Sequence, residues 1–309
     1  MGPVCQRRAL AMLLGMILSL AVWPAQAGRP TLAFAQERRA AGAAPSAQYA
    51  QRLLEMVNRT RWENGHLPPL KSNEALTRAA QAHSQDMAQN DFFGHPSSTG
   101  SSPWERIDAA GYGNWYILAE NIAAGQQTPA GVLQAWMDSP DHRENLLNPE
   151  LSEAGIGYVF QAGDTYPGST WGYGRYWTLD MGTRWDAFPL VIAGEAYSTT
   201  TRQVQLYVYG QGWATQLRLS NDGVTWSAWQ PYQSVLAWEL SAGDGLKRVY
   251  GQIRDDRGSS VVSVDEIWLQ EKPAPPPEDL PPFRVSPSEA VFVIQQGQSR
   301  GQPPRHRIQ

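Results

Sequence analysis

Cysteine is nearly missing from this chain. Its one thiol, Cys5, stands ahead of an apolar run near the N-terminus. A disulfide framework is therefore excluded, and no cysteine-nucleophile signature occurs. Charge is sparse as well: 17% of residues are charged and the net charge is −4, which argues against nucleic acid as an obligatory partner. A long hydrophobic run is also missing. The apolar stretch Ala9 to Val22 falls short of the roughly 18–20 residues a membrane span needs. Neither an HExxH zinc signature nor a serine nucleophile elbow occurs.

What is present begins with a leader. Arg7 and Arg8 precede the apolar run, and Ala25-Gln26-Ala27 supplies a small-x-small cleavage pattern, so residues 1–27 read as a signal peptide and the protein as secreted or envelope-associated. Cleavage removes two arginines and no acid, taking the charge from −4 to −6, and removes Cys5 too. The remaining length suits two domains of about 100–200 residues each. Composition and periodicity divide it into a spacer (28–46), a first domain (47–185), a second (186–270) and a proline-rich tail (271–309).

The first domain reads as helices followed by strands. Leu53, Met56, Val57 and then Thr60 or Arg61 recur at helical spacing until Asn64-Gly65 stops them. Ser72 or Asn73 caps a second helix with the stripe Leu76, Ala79, Ala80, His83 and Met87, on which His83 reads as a packed, hydrogen-bonded histidine. His95 sits between Gly94 and Pro96 in an irregular segment, where a site histidine and a plain loop histidine look alike. Ser102-Pro103-Trp104-Glu105 is a capping box. Glu120, flanked by small and apolar residues in an expected turn, is a carboxylate that must be paired if buried. Thr128-Pro129 opens a helix carrying Trp136. Ser139-Pro140-Asp141-His142 opens another, whose dipole favours a neutral His142. Ala154–Phe160 and Arg175–Gly182 read as strands.

From Phe188 to Gln270 the period is two, with turns at Asp222-Gly223 and Asp244-Gly245, which predicts a small all-β sandwich. Trp226, Trp229, Tyr232 and Trp238 cluster in it, either as core and loop aromatics or as a sugar-stacking platform for a glycan.

Taken in order, Asn58 to Leu70, Phe93-Gly94-His95, Gly100 to Gly111, Glu120-Asn121-Ile122-Ala123, Trp136 to Leu147 and Gly155-Ile156-Gly157 resemble the bacterial CAP superfamily, the SCP or cysteine-rich secretory protein, antigen 5 and pathogenesis-related 1 family. The resemblance covers a little under half the chain. It implies an α+β fold, an α-β-α sandwich, here followed by an Ig-like or fibronectin-like β-sandwich. It also implies a cleft of two histidines and two glutamates. By position these are His95, His142 and Glu120. The second glutamate is missing; either Asp138 stands in for it or Ser139 occupies its position.

Family resemblance implies a divalent metal, zinc for instance, on His95 and His142, or a lipid in a separate groove. The expectation is a monomeric, non-enzymatic exported protein that binds a lipid or cell-envelope ligand, with no nucleic-acid partner and no assigned catalytic residue. The alternatives are a metal-dependent hydrolase or protease, and a wall- or glycan-attached adhesion protein whose β domain holds the glycan.

Overall fold

The computed structural model describes residues 45–165, 172–258 and 260–271, all within one compact unit that begins at Ala43. The leader, most of the spacer and the tail after Glu271 lie outside the described residues.

The first half is α+β. Helix α1 (Pro45–Glu63) buries Leu53, Leu54, Val57, Asn58 and Arg61 on one stripe and ends at Gly65, whose φ of 115° suits glycine. The buried Arg61 was legible only as one choice for a stripe position. Its guanidinium donates to the carbonyls of Pro68, Leu146, Asn148 and Leu151, so it ties α1 to the loops around a later helix. Strand β1 (Lys71–Ser72) follows, then α2 (Glu74–Gln89), capped by Asn73 through Ala75 N and Leu76 N. Helix α3 (Pro103–Ala109) starts with the expected Ser102–Glu105 capping box.

Strand β2 (Trp115–Ala124) contains Glu120 at its centre, where the sequence suggested a turn. Its run of small and apolar residues is that of a strand buried on both faces. Helix α4 (Pro129–Asp138) is capped by Thr128. Helix α5 (Pro140–Leu147) has no side-chain cap: the Ser139 hydroxyl, expected to fill that role, bonds to His142 instead. Strands β3 (Glu153–Phe160) and β4 (Arg175–Arg184) complete a four-stranded sheet of order β1-β3-β4-β2.

Helices cover both faces of this sheet. Leu53 and Val57 of α1, Val132 and Trp136 of α4 and Leu146 of α5 share one core with Ala119, Ala123, Ile156 and Leu179. On the opposite face α2 lies against the backbone of β3. A Cβ on Gly155 falls 2.0 Å from Thr77 N, and one on Gly157 falls 2.2 Å from Ala80 O. Backbone cannot yield as a flexible side chain can, so Gly155→Ala is expected to cost about 3 kcal/mol or more. A urea titration checks this, and a loss under about 1 kcal/mol, the low end of overpacking costs, contradicts it.

The second half is all β. One antiparallel sheet has the order β10-β7-β5, from β5 (Leu190–Ile192), β7 (Gln203–Val208) and β10 (Val235–Glu239). The other has the order β6-β12-β11-β8-β9, from β6 (Ser198–Thr199), β8 (Gln216–Ser220), β9 (Gln230–Pro231), β11 (Gly245–Arg254) and β12 (Ser260–Leu269). Leu190, Leu206 and Val208 of the first share a core with Leu219, Val249 and Ile267 of the second. The four aromatics singled out above are engaged. Arg218 lies over Trp226 and Trp229, and Arg254 over Trp229 at 4.1 Å. Tyr232 and Trp238 pack on the core.

A polar network joins the two halves. Residues Ala193, Gly194 and Glu195 after β5 are all left-handed, at φ 47°, 65° and 67°, a conformation that alanine and glutamate rarely take. Asn58 Nδ2 donates to Gly194 O and Gln51 Nε2 to Glu195 O, and both bonds hold this turn against α1. Lys71 Nζ reaches Glu195 Oε1 at 2.8 Å and also pairs with Asp265. Asp265 Oδ2 in turn accepts from Ile192 N.

Candidate functional site

Glu120 points to the α2–α3 side of the sheet and its side chain is 2% exposed. His95 Nδ1 bonds to Oε1 at 2.7 Å, and Arg106 Nη2 donates to Oε2 at 2.6 Å. Arg106 also donates from Nη1 to the carbonyls of His95 and Ser101, so one guanidinium fixes both the carboxylate and the histidine's loop. A charge-assisted pair of this kind is what a buried carboxylate requires.

Directly across the ladder from Glu120 is Asp180 of β4, fully buried. Both Asp180 carboxylate oxygens are buried without a hydrogen-bond partner, which disfavours a charge there. Burial, then the Glu120 charge, push Asp180 well above the usual carboxylate range, with Arg106 opposing. Burial alone would raise Glu120 too, but the His95 hydrogen bond and the neighbouring cationic groups bring it below its ordinary value. The proton therefore sits on Asp180 and the charge on Glu120.

Asp180 carries a proton in the folded chain that it lacks when unfolded, so this site loses stability as pH rises above the ordinary aspartate range. Asp180→Asn is neutral at every pH and so needs no such proton. Its melting temperature relative to the parent is expected to rise between pH 5 and pH 8, read by calorimetry. A difference that stays constant with pH contradicts the assignment.

His83 of α2 completes the buried group. Its Nε2 donates to Gly94 O at 2.9 Å, and its Nδ1 is buried without a partner. Burial lowers its pKa to about 4, so it is neutral at pH 7. The expected hydrogen-bonded packing is found, but in company with Glu120 rather than on a plain apolar stripe.

His142 is also buried and neutral, its pKa lowered to about 4 by burial first and then by the charge of His95. It bonds through Nδ1 to Ser139 Oγ at 2.9 Å, and its buried Nε2 has no partner. The sheet reaches α5 through Asn121, which donates to His142 O. Asp138 is not brought to the group. It is exposed at the end of α4, where its carboxylate accepts from Gln134 one turn earlier. That i, i+4 bond follows from its place on the outer face of the helix, while Trp136 occupies the inner one.

Sequence reasoning passed over Arg106 and Asp180. Arg106 follows a glutamate already committed to a cap, and nothing local shows how far it reaches. Asp180 carried a usable signal: an acid inside a strand whose neighbours Leu179 and Met181 are apolar.

The donor set for a metal is narrow. His95 and His142 are each held at Nδ1, as metal-bound histidines commonly are. Both oxygens of Glu120 are taken, and Asp138 is elsewhere. Among the described residues no three His, Cys, Asp or Glu side chains form a group that could hold a metal ion. The three-ligand arrangement of catalytic zinc does not fit these residues.

Residues 54–181 match the model of the cysteine-rich secretory protein family, CAP. This segment is a CAP domain. Uncharacterized protein YkwD of Bacillus subtilis (strain 168) is 40% identical over 129 residues, which are 41% of this chain and 49% of that protein. Uncharacterized membrane protein YlbC of the same organism is 29% identical over 107 residues, 35% of this chain and 30% of that one. The chain thus spans at most about half the length of these relatives. Among solved structures, an extracellular protein containing a SCP domain from Bacillus anthracis str. Ames is 26% identical, covering 45% of this chain and 41% of that one with a TM-score of 0.38. The CAP domain takes in Glu120, Asp180 and all three histidines of the site. No helix among the described residues is long and apolar enough to cross a membrane.

Proposed function

We propose that this is an exported protein, a monomer, whose CAP domain binds a lipid or another cell-envelope component and does no chemistry on it. Export rests on the Arg7-Arg8 leader and its cleavage pattern. The two-sheet region is read as an Ig-like module docked on the CAP domain. The observation that carries the reading is the closure of Glu120. With Arg106 on one oxygen and His95 on the other in a buried setting, both oxygens are committed to protein partners, which works against a general-base role.

Organic extraction of the native protein, followed by mass spectrometry, tests this reading. A lipid or envelope fragment recovered in stoichiometric amount supports it. An empty extract, together with turnover of ester or peptide substrates, overturns it.

A divalent cation held by the Nε2 atoms of His95 and His142 is a subordinate proposal, supported by the fixed Nδ1 of each ring and the unpartnered Nε2 of His142. Such an ion would have only two protein ligands, so exchange with a chelator is expected to be fast.

A further inference from the structure

A groove of about 400 Å³ runs along the junction of the CAP domain and the β region. That volume lies within the roughly 300–1,000 Å³ of small-ligand sites, which often sit between domains. Its most exposed aromatic is Trp185, 71% exposed, and beside it Tyr116 is 41% exposed. Their ring centroids are 4.3 Å apart at an angle of 38°. Two large rings packed on each other at the surface make a contiguous aromatic face of the kind that marks binding sites.

The backbone builds this pair deliberately. Asn114 is left-handed at φ 58°, and its carbonyl accepts from Trp185 N. The β2–β4 register then shifts between Trp115 and Ile117, so Tyr116 stands at a bulge that turns its side chain out beside Trp185. Polar groups complete the groove. Ser152 lines it with a buried hydroxyl that has no partner. The Glu150 carboxylate and the Gln211 amide lie along it, while Arg184 is committed to Glu153.

We propose that this groove is a carbohydrate site, in which the Tyr116–Trp185 pair stacks on the apolar face of a pyranose and Ser152, Glu150 and Gln211 bond its hydroxyls. A sugar ring offers both O–H donors and oxygen acceptors. A proline-rich segment, which also favours aromatic grooves, has few backbone N–H groups to meet the polar groups of the groove. An acyl chain would leave the Ser152 hydroxyl unpaired at a cost. The aromatics of the β region are poorer platforms, since Arg218 and Arg254 already lie over Trp226 and Trp229. The site is distinct from the Glu120 group and does not depend on what the CAP domain holds there.

The test uses the full chain with insoluble peptidoglycan, chitin and cellulose, and with chitotriose and cellotriose in solution, followed by tryptophan fluorescence. Saturable binding to at least one glycan is expected. Trp185→Ala and Tyr116→Ala should each weaken it at least tenfold, Ser152→Ala should weaken it measurably, and Trp226→Ala should leave it unchanged. Circular dichroism confirms that each variant is folded. Retention on no glycan, equal affinity in Trp185→Ala, loss in Trp226→Ala, or occupation of the same groove by a peptide of residues Lys272 to Pro282 in place of sugar overturns the proposal. A lipid found by extraction with no glycan binding leaves the CAP-domain reading standing and sinks this one alone.

Discussion

Lys71→Met is expected to lower the folding free energy by about 3–5 kcal/mol, because it strands two buried carboxylates. The Lys71 side chain is 19% exposed, and its partners Glu195 and Asp265 are 8% and 5% exposed. Burial alone would lower the Lys71 pKa, but Asp265 and Glu195 together raise it. Burial and the charge of Asp265 push Glu195 up to about 7, against the pull of Lys71. Without the ammonium, two acids face each other at the junction beside a left-handed turn that this contact helps to hold. Glu195, already held up to about 7, is protonated at pH 5 and charged at pH 8, so the loss should be smaller at pH 5 than at pH 8. Urea unfolding at the two pH values measures it. The triple variant Lys71→Met, Glu195→Gln, Asp265→Asn removes all three charges and should recover most of the loss. If the single variant costs under about 1 kcal/mol, as an exposed pair would, the junction is not held by this triad.

The second large effect lies in the CAP domain. Arg106→Met removes the guanidinium from Glu120 and from the carbonyls of His95 and Ser101. Glu120 then remains beside Asp180 with only the His95 hydrogen bond. Breaking a buried pair by deleting one partner costs about 3–5 kcal/mol, and Arg106 is 11% exposed. Adding Glu120→Gln to Arg106→Met should return a large part of it, since an amide needs no counter-charge. A conservative Arg106→Lys is not expected to rescue, because a single ammonium cannot span the carboxylate and two carbonyls as the planar fork does. A thermal melt series of the parent, Arg106→Met, Glu120→Gln, the double variant and Arg106→Lys decides. Additive effects of Arg106→Met and Glu120→Gln would contradict the coupling.

The elements with local signals were readable before folding. Asn73, the Ser102–Glu105 box and Thr128 all cap where their chemistry says. The two-residue period after Phe188 forms strands. What sequence could not show is long-range pairing. Glu120 and Asp180 are 60 positions apart and meet only because β2 and β4 are neighbours in register. A buried arginine such as Arg61 is indistinguishable from a surface one until the carbonyls it serves are known. Ser139 looked like a cap because serine before proline usually is one, yet His142 Nδ1 offered it a better partner. Asp138 stands nearest the expected place after Trp136, but two residues of helix carry it about 200° round, onto the outer face.

The most direct test of the central claim is the zinc content and hydrolytic activity of the mature protein after dialysis, compared with His95→Ala and His142→Ala. A closed Glu120 and only two imidazole donors predict less than stoichiometric zinc in all three and no turnover that depends on either histidine. One tightly held zinc per chain, lost in both variants along with a hydrolytic activity, would contradict the account.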